Sequence, residues 1–188
     1  MHLHSIKRRK GFTLIEVLIA FIILSFGLLG AVALQAKAKQ ASFDSMQRAA
    51  AVALGNDIIQ RIRANDTIAS IGKYGKAEID STGALATTDA CFGKSCDSSG
   101  IADMDIVQWK RAIRASENTG TLDDATICIN PASVEDTGGK GFNIEVIIAW
   151  QGRQEFKANT NTGKVTCGDK TNNKRRLVVL TSYIYVRS

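Results

Sequence analysis

Residues 7–16 read Lys7-Arg8-Arg9-Lys10-Gly11-Phe12-Thr13-Leu14-Ile15-Glu16. Four cations end at Gly11, an apolar segment opens at Phe12, and a single carboxylate, Glu16, stands just inside it. Residues 12–34 carry no other charge. At 1.5 Å per residue they make a helix of roughly 35 Å, enough to cross the hydrocarbon core of a bilayer. The basic patch holds its side of the helix in the cytoplasm, so the chain beyond residue 36 is expected outside it. An acid within such a segment is costly and normally functional. The bland alternative is a carboxylate that snorkels to the interface and is favoured by the helix N-terminus. A cleaved secretory signal is a second alternative, but it needs a short apolar stretch closed by small residues. This stretch is long and continues into an amphipathic helix.

The formal charge is +6, and the four cations before Gly11 supply most of it. A chain cut after Gly11 keeps 20 basic and 18 acidic residues. The overall basicity is therefore weak evidence for nucleic-acid binding. Both histidines, His2 and His4, also precede Gly11. Their loss removes Ser-His and Cys-His catalysis, HExxH zinc chemistry and most zinc enzymes. No Gly-rich phosphate loop, internal repeat or paired-carboxylate site is present. No cofactor and no metal is expected. Gly27 and Gly30 interrupt the apolar helix, each at about 1 kcal/mol against Ala in water. In a membrane they permit close helix packing.

The string Gly11-Phe12-Thr13-Leu14-Ile15-Glu16-Val17-Leu18-Ile19-Ala20 resembles the class III signal of type IV prepilins and pseudopilins. The resemblance implies a prepilin peptidase that cuts between Gly11 and Phe12 and methylates the new amine of Phe12. Glu16 then becomes the fifth residue of the mature chain. A buried carboxylate needs a positive partner. The family picture supplies the N-terminal amine of a neighbouring subunit, so Phe12 and Glu16 would carry assembly. Weaker likenesses point to minor pilins of the PilV type: Ser25-Phe26-Gly27-Leu28-Leu29-Gly30, Leu34-Gln35, and the stretch from Ala53-Leu54-Gly55-Asn56-Asp57 to Arg61-Ile62-Arg63-Ala64-Asn65. Ala33 departs from major pilins, which often carry a helix-bending proline there.

Beyond Leu34 the helix turns amphipathic. Met46, Ala50, Leu54, Ile58 and Ile62 recur every four residues and are expected on a sheet. Asn65-Asp66 is the expected stop, giving a helix of roughly 80 Å from Phe12. Residues 65–104 read as an irregular loop rich in Gly, Ser, Thr and Asp. Asp105 is expected to cap a short helix whose inner face holds Ile106, Trp109 and Ile113. Alternation predicts strands over 125–129 and 142–150, with a turn at Gly138-Gly139. A third strand is expected over 153–158 and a final one over 177–186. Such short turns require an antiparallel sheet.

Four cysteines, none in CxxC, suggest two disulfides in an exported domain. Of the three possible connectivities, Cys91–Cys96 with Cys128–Cys167 is favoured. Asp123-Asp124 and Asp103/Asp105 are read as solvated loop charge rather than a cation site. Lys174-Arg175-Arg176 is the one basic run outside residues 7–10, able to touch DNA phosphates or an acidic neighbour but read as a solvated loop.

The expectation is an α+β chain with the type IV pilin fold, a long N-terminal membrane-spanning helix packed on a small antiparallel sheet. Residues 1–11 form the leader, 12–34 the membrane and assembly helix, and 35–188 the periplasmic domain. The resemblance implies a structural minor pilin, not an enzyme. It would sit in the inner membrane and then in the pilus, serving twitching, adhesion or DNA uptake. Its implied partners are other minor pilins, the major pilin, the prepilin peptidase and the inner-membrane assembly platform. A minor pseudopilin of a type II secretion system shares the same N-terminal chemistry. A membrane-anchored adhesin or DNA-binding module is the reading from another class.

Overall fold

The computed structural model describes residues 11–75, 77–85, 91, 93, 95–156 and 162–187. The basic patch, His2, His4 and Ala158 lie outside the described residues. The chain divides into two compact units, Met1–Phe43 and Asp44–Ser188.

The described part of the first unit is the opening of helix α1 (Leu14–Ala64). Thr13 precedes the helix and acts as its cap. Its carbonyl and hydroxyl both accept from the Glu16 N–H, at 3.1 and 3.4 Å. Every residue from Gly11 to Lys39 is exposed. This segment buries nothing against its own chain.

The second unit holds the rest of α1, then α2 (Ile68–Tyr74), β1 (Glu78–Asp80), α3 (Ser98–Asn118), β2 (Asp123–Ser133), β3 (Gly141–Gln151) and β4 (Arg175–Tyr185). The strands form one antiparallel sheet in the order β1-β2-β3-β4. One sheet face packs on α1 and α3. Ile58 and Ile62 of α1 and Trp109 and Ile113 of α3 join Ile127, Ile129, Ile144, Val146, Ile148, Trp150, Val178 and Ile184 in one core. Each large side chain buried there contributes about 1.5–3 kcal/mol. Gly55 is buried against the sheet, and a Cβ added there would collide with Leu180. The β2–β3 turn is closed by Thr137, whose hydroxyl accepts from the Gly141 N–H (2.9 Å) and donates to the Val134 carbonyl (2.7 Å).

The apolar stripe differs from the expected one. Ile58 and Ile62 are buried and Ala50 and Leu54 are half-buried against the core, but the other fully buried residues of the helix are Gln47, Ala51, Gly55 and Ile59, and Met46 is exposed. A repeat of four residues advances 400°, so a stripe drawn by fours drifts about 40° per step off a 3.6-residue helix. Four steps back from Ile62, Met46 has left the core face.

Residues 65–104 are not one irregular loop. α2 begins there with a capping box, in which Thr67 Oγ1 accepts from the Ser70 N–H and Ser70 Oγ from the Thr67 N–H, both at 3.2 Å. Asp97, not Asp105, caps α3, accepting from the Gly100 N–H at 2.7 Å. Asp105 is buried two turns inside that helix.

The strand expected over 153–158 is also absent from the described residues 153–156. The Gly152 N–H already donates to the Lys174 carbonyl (2.8 Å). The sheet is therefore continued by β4, and the segment between the two strands is an excursion. Cys167 in that excursion is bonded to Cys128 of β2, and Cys91 is bonded to Cys96. The Cys128–Cys167 link holds Val165 over Ile147, Ala149 and Leu177 as a second small apolar cluster. This explains why the end of β3 is buried on both faces rather than alternating.

Candidate functional site

Two regions carry chemistry, one in each unit. In the first, Gly11 and Phe12 are exposed ahead of the helix, and Phe12 shows 83% of its surface. No atom approaches within 4 Å of a Cβ built on Gly11. Glu16 lies in the first turn of α1, four residues after Phe12, which precedes the helix. Beyond it Leu18, Phe21, Ile22, Phe26 and Leu29 are exposed around the helix. By length and composition α1 can cross a membrane, and none of its apolar window is buried. A helix apolar on all sides requires lipid or other helices.

In the second unit a polar network ties three helices together. Arg61 of α1 donates to Asp57 Oδ2 (2.9 Å), Asp105 Oδ1 (3.0 Å) and Gln108 Oε1 (2.6 Å). The Tyr74 hydroxyl of α2 donates to Asp105 Oδ2 (2.7 Å) and accepts from Asn65 Nδ2 (3.3 Å). Trp109 Nε1 donates to Asp57 Oδ2 (3.1 Å). The Trp109 and Tyr74 rings lie 5.5 Å apart between centroids. Burial pushes the Tyr74 phenol well above its ordinary range, and the hydrogen bond to Asp105 pushes it further. The hydrogen bond to Asp105 also raises Arg61 above its ordinary value, against its own desolvation. The arrangement locks helix to helix. It offers no free nucleophile or general base.

The remaining candidates are used separately. Lys73 pairs with Asp103 at 3.1 Å, while Asp105 serves the network. Among the described residues no group of three or more His, Cys, Asp or Glu side chains could hold a metal. The run Lys174-Arg175-Arg176 is partly structural. Arg175 donates to the Cys167 (2.9 Å) and Val165 (3.2 Å) carbonyls, and the Arg176 guanidinium lies 4.9 Å from the Phe156 ring centroid. Nearby, hydrogen bonds from the Thr171 hydroxyl and N–H hold the Asp169 carboxyl below its usual range.

The comparisons fall on these same elements. Residues 6–32 match the prokaryotic N-terminal methylation motif, and residues 33–107 match the family described as type IV pilin Tt1218. The fold is that of a type IV pilin domain. No curated protein and no solved structure matches the chain. The second match runs from α1 through α2 and β1 into α3, so it spans most of the polar network. That network in the second unit was not legible in the sequence. Asp105 sits one residue before Ile106 and four before Trp109, which is the pattern of a helix start as much as of a buried acid. Its partners Arg61 and Tyr74 lie far away in sequence, and only packing brings them to it.

Proposed function

We propose that this chain is the precursor of a minor pilin of the PilV type, a structural subunit of type IV pili and not an enzyme. The observation that carries the reading is the pairing of an unburied, all-round apolar helix with a lone carboxylate at Glu16, next to an exposed Gly11-Phe12 bond. Residues 1–11 are the leader, 12–34 the membrane and assembly helix, and 35–188 the periplasmic domain. The prepilin peptidase cuts after Gly11 and methylates Phe12. The mature subunit waits in the inner membrane and is moved by the assembly platform into a filament with the major pilin and other minor pilins. There the Phe12 ammonium of one subunit neutralises Glu16 of its neighbour. Removing one partner of such a pair strands a charge in apolar surroundings, at about 3–5 kcal/mol.

Intact mass of the protein from a piliated strain tests the processing. The expected mass lacks residues 1–11 and carries one extra methyl group, and retention of those residues refutes the reading. Glu16→Ala tests assembly. Incorporation into sheared pili should fall by more than about tenfold, since 1.4 kcal/mol already corresponds to tenfold. Unchanged incorporation refutes the role of Glu16.

A further inference from the structure

The sheet has a long open edge at β4. Among the described residues β4 pairs with β3 alone, over 11 residues with no register shift. The Gly152 N–H donates to the Lys174 carbonyl and the Val186 N–H to the Lys140 carbonyl, both at 2.8 Å. In this register the even-numbered residues of β4 bond to β3. The backbone groups of Leu177, Val179, Thr181, Tyr183 and Tyr185 point away from the sheet. Their side chains lie on the face away from α1, where Val179, Tyr183 and Tyr185 are exposed. Residues 177–185 contain no charge and no proline. Exposed edges are normally blunted by charge, proline, bulges or shortness. The opposite edge obeys that rule, since β1 is 3 residues long and begins and ends with an acid.

The open edge runs into a basic cleft. Arg48, Lys170, Arg175, Arg176 and Phe156 line a concavity of about 750 Å³ at the start of β4. No acidic side chain lines it among the described residues. One guanidinium nitrogen of Arg176 is buried without a hydrogen-bond partner.

We propose that β4 receives an extended strand from a different polypeptide, antiparallel to it, with the strand's acidic C-terminal end seated in this cleft. Strand addition of this kind takes affinity from main-chain hydrogen bonds and specificity from the side chains. Antiparallel pairing places the C-terminal end of the incoming strand beside Arg175, where the cations are. A second copy of this chain fits poorly. Antiparallel pairing of two β4 edges brings Arg187 of one copy, which is held by Asp66, toward Arg175 and Arg176 of the other at both ends. It supplies no carboxylate to the cleft, and like charges facing each other destabilise a pair. An apolar, β-branched strand closed by carboxylates meets the uncharged middle and the basic end together.

The test uses the full chain in detergent micelles and three synthetic Thr/Val peptides. One ends in two C-terminal aspartates, one carries them at its N-terminus, and one has C-terminal lysines instead. Amide hydrogen exchange and fluorescence anisotropy are the readouts. The first peptide should slow exchange at Val179, Thr181 and Tyr183 by at least about tenfold and bind at least about tenfold tighter than the other two. Val179→Pro removes an N–H that β3 does not use, so the sheet should stay folded by circular dichroism while the peptide is lost. Should that variant misfold, Arg48→Glu, on the exposed face of α1, should weaken the first peptide by a similar factor. Absence of protection at saturating peptide, or indifference to where the aspartates sit, overturns the proposal. Concentration-dependent protection of the same amides without peptide assigns the edge to a second copy and overturns it as well.

Discussion

Replacing Asp105 with alanine tests whether the buried network holds the three helices together. Asp105 accepts from Arg61 at 3.0 Å and from Tyr74 at 2.7 Å and is only 4% exposed. The two losses are unequal. Arg61 keeps Asp57 and Gln108 and is partly exposed, so its share is about 0–1 kcal/mol. The Tyr74 hydroxyl is buried and loses its acceptor Asp105, which costs about 1–3 kcal/mol. Asp105→Ala should therefore cost about 2–3 kcal/mol and lower Tm by about 6–9 °C for a chain of this size. The assay is thermal unfolding of the full chain followed by tryptophan fluorescence, to which Trp109 reports from within the network. A double-mutant cycle with Tyr74→Phe isolates the coupling. Tyr74→Phe should cost about 1 kcal/mol in the natural chain and nothing once Asp105 is gone. A loss under about 1 kcal/mol for Asp105→Ala, or the same cost of Tyr74→Phe in both backgrounds, would refute the assignment.

The Tyr74 phenol is raised above its ordinary value of 10.0 in the folded chain, so its contribution is fully present below that pH and lost as pH climbs above it. Base-induced unfolding should begin above about pH 10 and be blunted in Tyr74→Phe, and identical alkaline titrations of the two proteins would count against this. Gly55→Leu should cost about 1–3 kcal/mol or more by collision with Leu180, and Leu180→Ala should recover part of it; additive losses in urea unfolding would mean the two do not touch. The Cys128–Cys167 bond closes a separation of 39 residues and Cys91–Cys96 one of 5. Chain entropy predicts losses of about 4 and about 2 kcal/mol on replacing each pair by alanine, and equal or reversed losses would contradict that ordering.

The sheet was legible where apolar and polar residues alternate in sequence. Residues 125–129 and 142–150 alternate in sequence and both lie within strands, although 125–129 and 146–150 are buried on both faces. The strand expected over 153–158 failed because local alternation cannot register that β3 has already found its partner in β4. Asp105 was read as a cap because a polar residue ahead of an apolar periodic run is the same local signal in both cases. α2 was missed because it is a seven-residue helix held by tertiary contacts of Ile71 and Tyr74.

The amino-acid order alone determined the apolar helix, the place of its lone carboxylate beside a glycine-phenylalanine bond, and the antiparallel class of the sheet. These follow from hydropathy, charge and periodicities of 3.6 and 2, which act between near neighbours. Tertiary structure decided which face of α1 is buried, which acid joins Arg61 to Tyr74, and which strand is left with an open edge. Those outcomes depend on groups far apart in sequence competing for the same partners, and local pattern carries no information about who wins.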